Sequence, residues 1–251
     1  MNARKILWVL VAVLAVTVGL MAGAGRPVIA SGHPEWPPIM YRQDTMIVGA
    51  GPALVQKIFN DIGLKVQFPY TGSWDEVQAK AKSGGVDVLV AAYKTAEREG
   101  YMVYSEPYTT DPVALFVAKG KAFPFDNWDV LKSKKGVAMI GDSYGQEFDG
   151  FSTANLHLTR ASSSQEAFDM VGSGKADYFI YSLYAGENQL KQNGQRSKFE
   201  SLPKFVDEES FYITISKKSS FVKYLADINK GIEKYKADGT INKLIEQYKN
   251  Q

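Results

Sequence analysis

The 251-residue sequence predicts an α/β protein built as two similar lobes. Three observations carry that expectation. Strand-like and helix-like segments alternate along the chain. A helix–turn–strand unit recurs, "SWDEVQAKAKSGGVDVLV" at 73–90 against "SSQEAFDMVGSGKADYFI" at 163–180. The two copies share Glu76 and Glu166, the Ser-Gly pairs at 83–84 and 173–174, and Asp87 and Asp177 at equal spacing.

"VIASG" reads as a short buried strand, and the "HPEWPPIM" that follows reads as a rigid loop set by its prolines. "GPALVQKIFNDIG" is a helix, with Pro52 at its first position, an apolar face of Leu54, Val55, Ile58, Phe59 and Ile62, and Gly63 as its stop. "LKVQFPY" alternates as a strand does. The helix "SWDEVQAKAKSGG" then runs into the strand "VDVLVAA", which implies a mainly parallel sheet. "GVAMIGDSYGQEFDGF" reads strand, turn, helix. Towards the end "FYITISKKS" is strand-like, and "SSFVKYLADINKGIEKY" is an amphipathic helix bearing Phe221, Tyr224, Leu225, Ile228 and Ile232 on one face. Thr240 caps a last helix with Ile241, Leu244, Ile245 and Tyr248 on its apolar side.

The N-terminus has the three parts of a secretory signal: Arg4 and Lys5, an uncharged run from Ile6, and small residues ending at Ala22-Gly23-Ala24. Cleavage is expected after Ala24, and an uncleaved anchor is the alternative. Removal of residues 1–24 leaves 27 basic and 27 acidic residues. A near-neutral mature chain gives no reason to expect nucleic acid or an anionic membrane as partner. Cysteine is absent, so the core holds without disulfides and no cysteine is available for lipid attachment.

"WPPIMY", the helix–SGGVD–strand unit, "TAEREGYMVYSEPY", "GSGKADYFI" and "KADGTINKLIEQY" occur in one order across the whole mature chain. In that order the chain resembles the family 3 bacterial extracellular solute-binding proteins, the capture components of polar amino-acid ABC importers. The resemblance implies a two-lobed type II periplasmic binding fold with two hinge-crossing strands, near Leu115–Val117 and near Glu209–Tyr212. Lobe 1 is expected to be residues 25–116 plus 210–251, and lobe 2 residues 117–209. It further implies a periplasmic monomer that binds an amino acid or related carboxylate, meets a membrane ABC permease, needs no cofactor and is no enzyme. Two other functions stay open: a periplasmic dehydratase on the same fold, with Glu35, His33 or Asp142 as acid or base, and a ligand-sensing subunit.

Arg98 is the leading candidate for the ligand's anionic group. A guanidinium matches a carboxylate with paired donors, and shielded charge-assisted bonds are worth about 1.5–3 kcal/mol each. A surface ion pair with Glu97, Glu99 or Glu106 is the alternative. By resemblance, Thr95, Arg98, Tyr104, Ser105, Pro107 and Tyr108 form the family's arginine motif, and Tyr93 takes a position that often offers a hydroxyl to the ligand. Asp142, Ser143 and Tyr144 are expected at a helix N-terminus that favours an anion, or simply as caps. Trp36 and Trp74 match positions that line the ligand, with burial in the core as the alternative. Ser182 stands where an aspartate commonly meets a ligand ammonium. Either Asp142 or Asp111 replaces that acid, or the ligand lacks an α-ammonium.

Gly141, Ser143 and Gly145 also spell the nucleophile-elbow pattern of hydrolases, but His157 lies only fourteen residues on and His33 precedes the serine, contrary to the order such enzymes need. Two histidines and no cysteine argue against a closed transition-metal site.

Overall fold

A computed structural model describes residues 26–249. The expected signal, residues 1–24, lies outside the described residues. The first half runs β1 (Val28–Ser31), β2 (Glu35–Trp36), β3 (Met40–Gln43), β4 (Met46–Val48), α1 (Ala50–Asp61), β5 (Val66–Gln67), α2 (Trp74–Ser83), β6 (Val88–Ala92) and α3 (Ala96–Glu99). The long strand β7 (Met102–Ala118) leads to the second half. There β8 (Gly136–Met139), α4 (Gln146–Asn155), β9 (Leu158–Ala161), α5 (Ser164–Gly172), β10 (Tyr178–Ser182), α6 (Leu183–Gln192) and β11 (Phe199–Ser201) follow. The strand β12 (Asp207–Ser216) returns to the first half, which α7 (Leu225–Ala237) and α8 (Thr240–Lys249) complete.

The strand order is β5-β1-β6-β12-β7-β10-β8-β9. Pairing is parallel within each half and antiparallel around β7 and β12. β7 spans 17 residues and, with β12, joins the sheets of both lobes into one path. β10 pairs with β7 from Val113 to Phe116.

The sequence repeat has one structural meaning in both halves. Ser73 and Ser163 cap α2 and α5, and each helix ends at a turn with a left-handed glycine, Gly84 at φ 90° and Gly174 at φ 74°. Past those turns, the Asp87 carboxylate accepts the Ile29 N–H at 2.9 Å and the Asp177 carboxylate accepts the Lys135 N–H at 2.7 Å. Each aspartate thereby ties a helix–strand turn to the strand beside it.

Some local readings shift. The proline-rich stretch is more than a loop, because Glu35–Trp36 pairs with Met40 and Tyr41, and β2, β3 and β4 form a small sheet of their own. α1 begins two residues before Pro52, with Gly49 as its N-cap. Only Val66–Gln67 of "LKVQFPY" is a strand. The segment Ser220–Tyr224 is 3-10 rather than α-helix. The apolar faces hold: Leu54, Val55, Ile58 and Phe59 of α1, with Ile228, Ile232, Ile241 and Leu244 of α7 and α8, are buried in one core. Each such side chain contributes roughly 1.5–3 kcal/mol.

Candidate functional site

Thr95 caps the single turn of α3 by accepting the Arg98 N–H at 3.2 Å, and this places Arg98 at the edge of the cleft between the lobes. Arg98 is 5% exposed. Its Nε donates to Gln78 Oε1 at 2.8 Å, one terminal nitrogen to the Tyr93 carbonyl at 3.2 Å, and the other to the Gly141 carbonyl of the second lobe at 3.4 Å. The guanidinium also lies over the Trp74 ring, 5.4 Å from its centroid. The surface ion-pair alternative is thereby overturned, and Glu99 pairs with Lys94 instead at 3.0 Å. These bonds use three of the five N–H donors a guanidinium carries. The rest of the arginine motif is scaffold: Tyr104 donates to the Tyr93 carbonyl, Tyr108 to the Val90 carbonyl, and Ser105 accepts the Ile213 N–H.

Facing Arg98 is the turn between β8 and α4. Asp142 and Ser143 line the cavity, and Tyr144 does not. Tyr144 is core: its hydroxyl accepts the Met139 N–H at 2.9 Å and its own N–H goes to Asp149 at 2.9 Å. The free N–H groups expected at this helix start are therefore reduced by one. Gly145, not Asp142 or Ser143, is the N-cap, and Asp149 reaches back to accept both the Tyr144 N–H and the Ser143 hydroxyl. Burial holds the Asp149 carboxyl above its ordinary range despite those two bonds.

Between the lobes lies a small pocket. Trp36, Trp74, Tyr93 and Phe211 supply aromatic walls, Met40 an apolar one, and Arg98, His33, Asp142 and Ser143 the polar groups. His33 sits against Trp36 and Trp74, ring centroids 5.0 and 5.6 Å away. Its Nδ1 accepts the Glu35 N–H at 2.9 Å, which leaves the proton on Nε2, 3.1 Å from Asp142 Oδ1. Other bonds close the cleft directly: Gln78 donates to the Gly141 carbonyl, the Ala96 N–H to Gln146, and the Ser164 N–H to Glu35.

Of the eight residues singled out in sequence, Arg98, Tyr93, Trp36, Trp74, Asp142 and Ser143 are brought together, while Tyr144 and Ser182 stand outside the cavity lining. Ser182 is buried, caps α6 and donates to Asp111 at 2.7 Å. Asp111 does not line the cavity either, since its carboxylate is enclosed by Trp36, Tyr93 and Ser182. The lining roles of Met40, Phe211 and His33 and the Gln78 contact to Arg98 are not legible in the sequence motifs. One rule reaches several of these positions: ligands of open α/β sheets gather beyond the carboxyl ends of the strands, where His33, Tyr93 and the 141–143 turn all lie. The Ser143 hydroxyl is engaged by Asp149, the His33 ring by Asp142, and His157 is exposed, so the hydrolase pattern assembles no serine–histidine pair.

The chain is 22% identical over 223 residues to a probable amino-acid-binding protein, YxeM, of Bacillus subtilis, with 85% of this chain and 80% of that protein covered. It is 25% identical over 161 residues to the virulence sensor protein BvgS of Bordetella bronchiseptica, covering 60% of this chain and 13% of the sensor. Among solved structures, an ancestral arginine-binding protein bound to arginine superposes with a TM-score of 0.73 and 26% identity, over 88% of this chain and 97% of the other. The lobes joined by β7 and β12 are thus the two-lobed periplasmic binding fold. The model of the bacterial extracellular solute-binding proteins, family 3, matches residues 28–251, and the chain belongs to that family.

Proposed function

We propose that the protein captures an amino acid or related small carboxylate in the periplasm and delivers it to an ABC importer. One observation carries this reading: the buried guanidinium of Arg98 lines an aromatic-walled pocket between the lobes. A guanidinium suits a carboxylate, and Ser143 lines the same pocket from the other lobe. Asp142 is the acid in its lining, so it takes the place of the acid absent at Ser182 and meets a ligand ammonium. A ligand that contacts both lobes binds the closed form better than the open one, and closure presents one surface to the permease. The relatives described above are binding and sensor proteins, which favours capture over a dehydratase reaction.

The test is a thermal-shift screen against amino acids, simple carboxylates and polyamines, followed by calorimetry. A ligand at 100 times its dissociation constant adds about 2.7 kcal/mol of stability. Arg98→Ala abolishes high-affinity binding and leaves the fold intact; unchanged affinity removes Arg98 from this role. A sensing role is the second reading, supported by the similarity to BvgS. N-terminal sequencing of the mature protein separates them, since a retained residue 1–24 segment favours the sensor.

A further inference from the structure

Asp111 lies on β7 just before the stretch that pairs with β10, where the chain passes from one lobe to the other. Its side chain is 1% exposed and makes no contact with a cation. Oδ2 accepts the Trp36 indole N–H at 2.7 Å and the Tyr93 hydroxyl at 2.6 Å. Oδ1 accepts the Ser182 hydroxyl at 2.7 Å. Trp36 and Tyr93 are walls of the cavity, whereas Ser182 belongs to the second lobe. One carboxylate therefore holds two walls of the cavity and the opposite lobe at once. All three groups donate to it, so the ionised carboxylate accepts every one of these bonds without rearrangement, and the Trp36 indole N–H, which can only donate, needs it as an acceptor.

We infer that Asp111 is a positioning residue, whose carboxylate fixes the rotamers of Trp36 and Tyr93 and couples them to the second lobe through Ser182. The inference rests on this cavity being the ligand site, but its geometry is testable without a ligand. Burial is the largest influence on Asp111 and raises it to about 6, against the pull of its three donors. The groups packed around it are Tyr93 just past β6, Tyr108 on β7, Tyr181 on β10, Glu209 opposite it on β12, and His33 beside Trp36. As the pH falls through about 6, the network loses an acceptor and Trp36 loosens.

The experiment follows the Trp36 indole N–H resonance of the whole protein by NMR from pH 8 to pH 4.5, assigned with Trp36→Phe. In the parent protein the resonance shifts with a midpoint near 6, and in Asp111→Asn that titration is gone. A resonance that titrates identically in both, or in neither, overturns the inference, whatever the unfolding temperature does. Ser182→Ala guards against an Asp111 variant that fails to fold. There the Trp36 titration persists, while a spin-label pair across the cleft reports a more open lobe distance; an unchanged distance removes the coupling. Neither readout depends on Arg98→Ala, so loss of ligand binding and loss of this network are read separately.

Discussion

His33 and Asp142 meet across the cleft with Nε2 3.1 Å from Oδ1, and both side chains are sealed from water. They come from opposite lobes, 109 residues apart in sequence, so the bond exists only when the lobes are closed. His33→Ala removes it and leaves Asp142 with only a long contact of 3.5 Å from the Tyr144 hydroxyl. Leaving a buried acceptor short of its partner costs about 1–3 kcal/mol, roughly a 5- to 150-fold fall in the closed-to-open ratio. Small-angle scattering should show a larger radius of gyration for the variant. An identical radius would mean that closure does not use this pair.

Asp87 is expected to set the acid limit of stability. Burial alone would push its carboxyl up, but bonds from Arg26, the Ile29 N–H and Ser219 outweigh burial and hold it below the usual carboxylate range. Arg26 is 55% exposed, so much of the benefit comes from the Ile29 and Ser219 bonds rather than the ion pair. A lowered folded value means stability that is present above about pH 4 and lost as the pH falls through that lower value. Asp87→Asn should cost roughly 2–3 kcal/mol at pH 7 and flatten the acid limb of the stability curve. Urea unfolding at pH 2.5 to 7 checks this, and parallel curves for both proteins would refute it.

The same aspartate shows how far the sequence could be read. Asp87 and Asp177 recur at equal spacing, and that spacing disclosed the repeated unit because both perform one backbone task. Arg98 was legible because its cap, Thr95, and its neighbours form a local motif. Asp111 and Ser182 were not legible as partners. Their contact depends on the register that sets Ser182 opposite Val113, a nonlocal pairing that no periodicity announces. Tyr144 misled for a related reason, since a tyrosine in a turn points to cavity or core only once the strand beneath it, ending at Met139, is in place.

Gly145 is a position near the cleft where a single methyl should cost stability. Its φ is 102°, a conformation that favours glycine, and a Cβ there would overlap Glu209 Oε1 and stand 2.9 Å from Asp207 Oδ2. Gly145→Ala should therefore lose about 1–3 kcal/mol of stability from backbone strain, with further loss from displaced carboxylates. Thermal unfolding measures it, and a variant within 1 °C of the parent would show that the turn adapts freely.

Glu209 makes the opposite kind of prediction, a gain from removing a charge. Burial, then Asp207 and Asp149, raise its carboxyl to about 7, and Arg98 opposes them only partly. A folded value above the ordinary glutamate value of about 4.3 means that the folded protein binds a proton that the unfolded chain has released. Stability from this group is thus full at pH 4, falls as the pH rises, and is gone above 7. Glu209→Gln removes the repulsion without changing the side chain's size. After discounting for partial exposure, the variant should gain on the order of 1 kcal/mol at pH 8, or about 2–4 °C in unfolding temperature, and nothing at pH 4.5. The difference between the two pH values is the decisive quantity. An equal shift at both would trace the change to packing, and no shift at either would leave Glu209 hydrated and uncoupled from its neighbours.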